Sequence, residues 1–154
     1  MKTFAALFLG ITLILASTAG FSEDMMRSAT VAQLSGTVMV KEPGLRPWTK
    51  AKVGDVLSEG SFLKTGIGSK AIVGVDDGKT AMIDISEKSL ISFATLTKDS
   101  TSGMKKTLLE LSVGQVVIKA QRLDTPDSKF EVKTPTSVVG VRGTKFSIKV
   151  DALK

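Results

Sequence analysis

The residues missing from this chain restrict its chemistry. It contains no histidine, cysteine or tyrosine, so a Ser-His-Asp triad, a thiolate nucleophile and a zinc site built on histidine or cysteine are impossible. Carboxylates, lysines, serines and threonines remain. Acid–base work by paired carboxylates needs two that face each other across a cleft. Asp76 and Asp77 are adjacent, which on an extended chain sends them to opposite faces. Followed by Gly78, they read as turn formers. Asp76, Asp77 and Asp84 lack the loop spacing of a calcium site. Gly78-Lys79-Thr80 resembles the tail of a phosphate-binding loop, but Val73 stands where its first glycine belongs, and the lysine falls in a hairpin. No catalytic, cofactor-binding or metal-binding residue is therefore assigned. The protein is expected not to be an enzyme.

The most informative constellation lies between Val132 and Val150. Thr134-Pro135 interrupts one apolar alternation; Val141-Arg142-Gly143-Thr144 follows; Phe146, Ile148 and Val150 make a second. This predicts two strands joined through a bend conditioned by proline and glycine. Arg142, between a valine and a glycine, admits two roles. It is expected first to be buried and paired with a carboxylate, Asp55 or Asp77, so that its loss costs ~3–5 kcal/mol. The alternative is an exposed contact whose removal leaves stability nearly unchanged. Trp48, the one tryptophan, is read as a cap over one end of the core in preference to a ligand platform.

The elements needed to hold these residues are strands. Val38 and Val40 alternate with Met39 and Lys41 after a hairpin-like approach at Ser35-Gly36, and Glu42-Pro43-Gly44 stops them. Short strands follow at Val53–Leu57 and Ser61–Lys64. Ala71, Val73 and Val75 lead through Asp76-Asp77-Gly78-Lys79 to a return strand on Ala81, Ile83 and Ile85, a hairpin signal. Ser86-Glu87-Lys88 is a turn, and Leu90–Phe93 restarts a strand. Thr97–Lys106 reads as an exposed loop. Leu108–Leu111 and Val116–Ile118 form a strand pair around Gly114. Gly36–Lys41 and Gly114–Lys119 echo each other, and two instances point to equivalent strands without establishing a solenoid. No helical stripe follows residue 20. The fold class is all-β: a single β-sandwich or flattened β-roll of many short strands.

The N-terminus gives the address. Lys2 precedes an apolar run from Phe4 to Ala16, then Ser17-Thr18-Ala19, a secretory signal with cleavage after Ala19. The run is shorter than the roughly 20 residues of a spanning helix, so a cleaved signal is preferred to an anchor. The expected organisation is a signal peptide over 1–19, a short polar leader over 20–29 and a β-domain over 30–154. The mature protein is periplasmic or secreted, without stable membrane insertion. The net charge is +6, but the lysines are scattered. A solvated basic surface is expected, and no nucleic-acid partner.

In their order and spacing, several fragments together resemble the FecR-domain family. They are Gly36 with Val38, Trp48, Gly54-Asp55 with Leu57, Gly60, Thr65-Gly66, the alternation on Ala71, Val73 and Val75, and Asp77-Gly78. The closing signature of Thr134, Pro135, Val141, Arg142, Gly143, Thr144 and Phe146 is the most specific part. The resemblance runs from about Val31 to the end, and Ser61 departs from it where members often carry an acidic residue. It implies an all-β, non-enzymatic sensing domain of the bacterial envelope, without cofactor, acting through protein or ligand contacts. In iron regulators the domain joins a membrane helix and a cytoplasmic arm that controls a sigma factor. With a signal at Met1, that control is not expected here. Members commonly continue beyond the position of Val150, so the chain is expected to be a minimal member or one truncated at its C-terminus. The expected function is a protein-binding, sensing or scaffold module that contacts another envelope protein. The alternative is a binder of envelope polysaccharide or peptidoglycan.

Overall fold

The structure, a computed structural model, describes residues 24–123 and 125–152. The expected signal peptide lies outside them. The described residues form thirteen strands: β1 (Asp24–Met26), β2 (Ala29–Ser35), β3 (Val38–Lys41), β4 (Thr49–Lys50), β5 (Val56–Leu57), β6 (Phe62–Thr65), β7 (Lys70–Val75), β8 (Ala81–Ile85), β9 (Leu90–Asp99), β10 (Lys105–Ala120), β11 (Lys129–Lys133), β12 (Val138–Val141) and β13 (Lys145–Val150). None of the described residues is helical. The strands build one curled, largely antiparallel sheet with the path β4-β3-β6-β9-β10-β8-β7-β2-β5. The all-β expectation holds.

Period-two patterning is the cause. Along β7 and β8, Ala71, Val73 and Val75 lie opposite Ile85, Ile83 and Ala81, and all six are buried. Directly opposed residues share a face, so this register delivers a continuous apolar surface to the interior. The same rule places Leu109, Leu111, Val116 and Ile118 of β10 inside, with Phe93 and Phe130 the largest fully buried side chains. Asp76 and Asp77 take positive φ values of 52° and 54°, and this turn closes the β7–β8 hairpin as expected.

Strand β10 is the spine. Its first half pairs with β9 and, in parallel, with β11; its second half pairs with β8 and β13. The exchange of neighbours occurs around Gly114, whose φ is 103°. A Cβ there would lie 2.4 Å from the Ser89 Cα. Only glycine satisfies both the conformation and that approach. The echo between Gly36 and Gly114 has a structural counterpart. In each case the next residue donates its N–H to a serine hydroxyl, Thr37 to Ser69 Oγ at 2.8 Å and Gln115 to Ser89 Oγ at 3.1 Å.

Several expected boundaries are corrected. The leader is not separate from the domain: β1 pairs with Thr97–Asp99 of β9, and the chain is integrated from Asp24. The exposed loop at 97–106 shrinks to 100–104, because the β-branched Thr95 and Thr97 continue β9 and Asp99 closes the turn by accepting from the N–H groups of Thr101 and Ser102. Residues 108–118 are one strand and not two. There is no hairpin at Ser35-Gly36, whereas the turn at Ser86–Lys88 stands as expected and joins two strands that are not neighbours. β2 pairs with β5 and β7, whereas β3 pairs with β4 and β6; β10 lies between β8 and β9.

Candidate functional site

The signature residues gather on the C-terminal face, which is built from three strands where two were expected. Thr134 and Pro135 make the β11–β12 turn. The Thr134 N–H donates to the Ser137 carbonyl at 2.8 Å, and the Ser137 N–H donates to Thr134 Oγ1 at 3.1 Å. Proline follows threonine because its fixed φ suits the first central position of such a turn. β12 then returns along β11, with Val139 opposite Val132 and Val141 opposite Phe130. Val141 is buried in the core. Gly143, with φ 61°, turns the chain away from β12 toward β10, where β13 pairs with Gly114–Lys119. Thr144 is exposed, and its carbonyl accepts from the Ala120 N–H at 3.3 Å. Phe146, Ile148 and Val150 are half-buried and pack against the core.

Arg142 is at the surface, which overturns the buried reading. Its Nη2 donates to the Pro126 carbonyl at 2.9 Å. The two carboxylates named for it are engaged elsewhere: Asp55 accepts from the Lys52 N–H at 2.8 Å and Asp77 from the Thr30 hydroxyl at 3.2 Å. The reason is local. Val141 uses the inward position of the β12 edge, so the next residue points to solvent.

Beside Arg142 runs an open cleft of about 630 Å³, lined by Met104, Lys129, Phe130, Glu131, Gly140 and Val141 among others. It stays open at Gly140, where an added Cβ would meet no atom within 4 Å. β12 pairs only with β11 among the described residues. From Ser137 to Val141 its sequence carries no charge, and Val138 is 60 % exposed. An unguarded, uncharged edge of this kind is a template for another strand.

Trp48, expected to cap the core, lies outside the core cluster. It is half-buried on the outer surface of the sheet, edge-on to Phe62 with ring centroids 6.5 Å apart. The Lys64 ammonium sits 4.3 Å from its ring centroid.

One polar centre was missed entirely. The Arg27 side chain is only 6 % exposed, and its Nε and Nη2 grip the Asp76 carboxylate at 3.0 and 2.6 Å. Nη1 donates to Thr107 Oγ1 and to the carbonyls of Thr97 and Lys106; Nη2 also reaches Thr80 Oγ1. Burial pushes the Asp76 carboxyl up. The hydrogen bonds from Arg27 and Thr80, with the charges of Arg27 and Lys105, outweigh that and hold it below its ordinary value. Partners 49 positions apart leave no local spacing to read. The centre is closed to solvent on the arginine side and fully bonded, so it serves structure.

A sequence model of the family described as FecR protein matches residues 61–153. The match covers most of the chain and includes the whole C-terminal face, and the chain belongs to that family. The family is one of periplasmic sensing and regulator domains in envelope signalling. No curated protein and no solved structure matches the chain. No helix among the described residues is long and apolar enough to cross a membrane.

Proposed function

For this member of the FecR family, we propose a non-enzymatic contact module of the bacterial envelope that receives an extended segment of another envelope protein along β12. One observation carries the reading: β12, which lies between the Thr134-Pro135 turn and Arg142, is an open, uncharged edge among the described residues, flanked by a cleft at Gly140 and by the exposed Arg142. Main-chain bonds to such an edge supply affinity, and the cleft selects side chains. Periplasmic localisation accords with the family and with the expected signal peptide.

The test uses the full chain expressed in its own cells with a photo-crosslinking residue at position 138. A discrete adduct with one envelope protein is expected. Gly140→Leu fills the cleft without a clash, and it should abolish the adduct while leaving the melting temperature within a few degrees. Adducts that survive Gly140→Leu, or that form equally from position 52, would defeat the proposal.

A further inference from the structure

The opposite end of the sheet carries a second surface. On β3, β4 and β6 the outward positions are Met39, Lys41, Lys50, Phe62 and Lys64, since Val38, Val40, Leu63 and Thr65 point inward. Registers Met39–Lys50, Met39–Lys64 and Lys41–Phe62 set these side chains side by side. Trp48 packs onto this face against Phe62, with Lys64 over its ring and the Lys41 ammonium 5.9 Å from the Phe62 centroid. The five outward positions include no carboxylate. The loop that delivers Trp48, Glu42-Pro43-Gly44-Leu45-Arg46-Pro47, projects Leu45 wholly into solvent, at 106 % exposure. Its one acid, Glu42, is already paired with Arg46.

From this arrangement we propose that the β3–β4 loop and the adjoining outer face form a peripheral docking surface for anionic phospholipid. An apolar tip, an indole and a collar of lysines match the three layers of a bilayer surface. The tip enters the acyl boundary, the indole sits at headgroup depth, and the ammonium groups meet phosphate. Neither Trp48 nor Phe62 is needed in the core, because both lie outside it. A glycan partner would call for an indole face free to stack. Here one face is covered by the Lys64 ammonium, and the charge of the collar favours phosphate. This surface is on β3, β4 and β6, remote in the strand order from β12, and it operates whether or not β12 binds a segment.

Trp48 is the only tryptophan and tyrosine is absent, so intrinsic emission reports from this patch alone. The purified mature chain is titrated with vesicles of phosphatidylglycerol, of phosphatidylcholine, and with purified cell-wall sacculi. A blue shift of Trp48 emission and co-sedimentation are expected with phosphatidylglycerol only. Each lysine near an anionic surface strengthens binding about fivefold, so Lys41→Gln/Lys64→Gln should weaken it roughly 25-fold. Leu45→Asp should remove the blue shift with an unchanged melting temperature. Lys119→Gln/Lys145→Gln removes the same charge from elsewhere and should weaken binding several-fold less. Equal losses in the two double variants, sedimentation without an emission change, or a shift with sacculi but not with vesicles would each overturn the proposal.

Discussion

Replacing Asp76 by asparagine isolates the charge at the buried Arg27–Asp76 ion pair. Asp76 has φ 52°, a region asparagine tolerates, so the β7–β8 turn is preserved and only the carboxylate is lost. Arg27 is then left 94 % buried without its counter-ion, since its side chain is 6 % exposed. Removing one member of a buried pair costs ~3–5 kcal/mol. Asp76 itself is 21 % exposed, and asparagine retains one acceptor, so the lower end applies: about 3 kcal/mol. For a domain of this size that corresponds to a fall in Tm of roughly 10 °C. The assay is thermal and urea unfolding at pH 7 and across the acid limb. Because the folded carboxyl lies below its ordinary value of 3.8, the stabilisation is complete well above that value. It is lost as pH falls through the lower folded value. The variant should therefore show a shallower loss of stability below about pH 4. Combining it with Arg27→Met removes the stranded charge and should restore part of the loss. A single-variant cost below about 1 kcal/mol, with an unaltered acid limb, would refute the argument that Arg27 depends on this carboxylate.

Other positions separate structural from contact roles. Arg142→Ala gives up one exposed bond and should change stability by less than about 1 kcal/mol in urea unfolding. The same variant should lose the adduct formed from position 138. Gly114→Ala adds strain at φ 103° to an overlap with Ser89, and should cost about 4 kcal/mol, read as a large fall in the urea midpoint. Phe93→Ala empties a fully buried site and should cost ~3–5 kcal/mol in the same assay. Lys133→Ala breaks an exposed bridge to Glu110 and should fall within about 1 kcal/mol of the parent.

The features legible in the sequence were those in which neighbouring residues settle the geometry. The alternation of Ala71, Val73 and Val75 with Ala81, Ile83 and Ile85 around Asp77-Gly78 specified a hairpin, because turn chemistry and pleat act within a few residues. The signature from Thr134 to Phe146 was legible as a motif, but its side-chain directions were not. A single Arg142 between a valine and a glycine is compatible in sequence with a buried pair and with an exposed contact. The edge position of β12 supplies water to it, and edge or centre is a property of the whole sheet. Arg27 is illegible for the converse reason: it shares a short segment with Glu23 and Asp24, and its partners arrive from the β7–β8 turn, β9 and β10. The length of β10 was hidden by Gly114, which reads as a break in sequence but lets a strand continue past Ser89.

The position of β10 between β8 and β9 has a kinetic consequence. Strands β8 and β9 are consecutive in the chain and separated by a short turn, yet they are not hydrogen-bonded to each other. Each pairs on one side with an earlier strand and on the other waits for β10, which is synthesised later. Until Lys105–Ala120 has emerged, the sheet path stays in two separate parts, β4-β3-β6-β9 and β8-β7-β2-β5, with no strand to join them. Sheets dominated by such distant pairings fold in milliseconds to seconds and not microseconds. A chain built in this order completes its sheet only after β10 has been made, so the β9–β10 and β10–β8 ladders join two halves that can form before it.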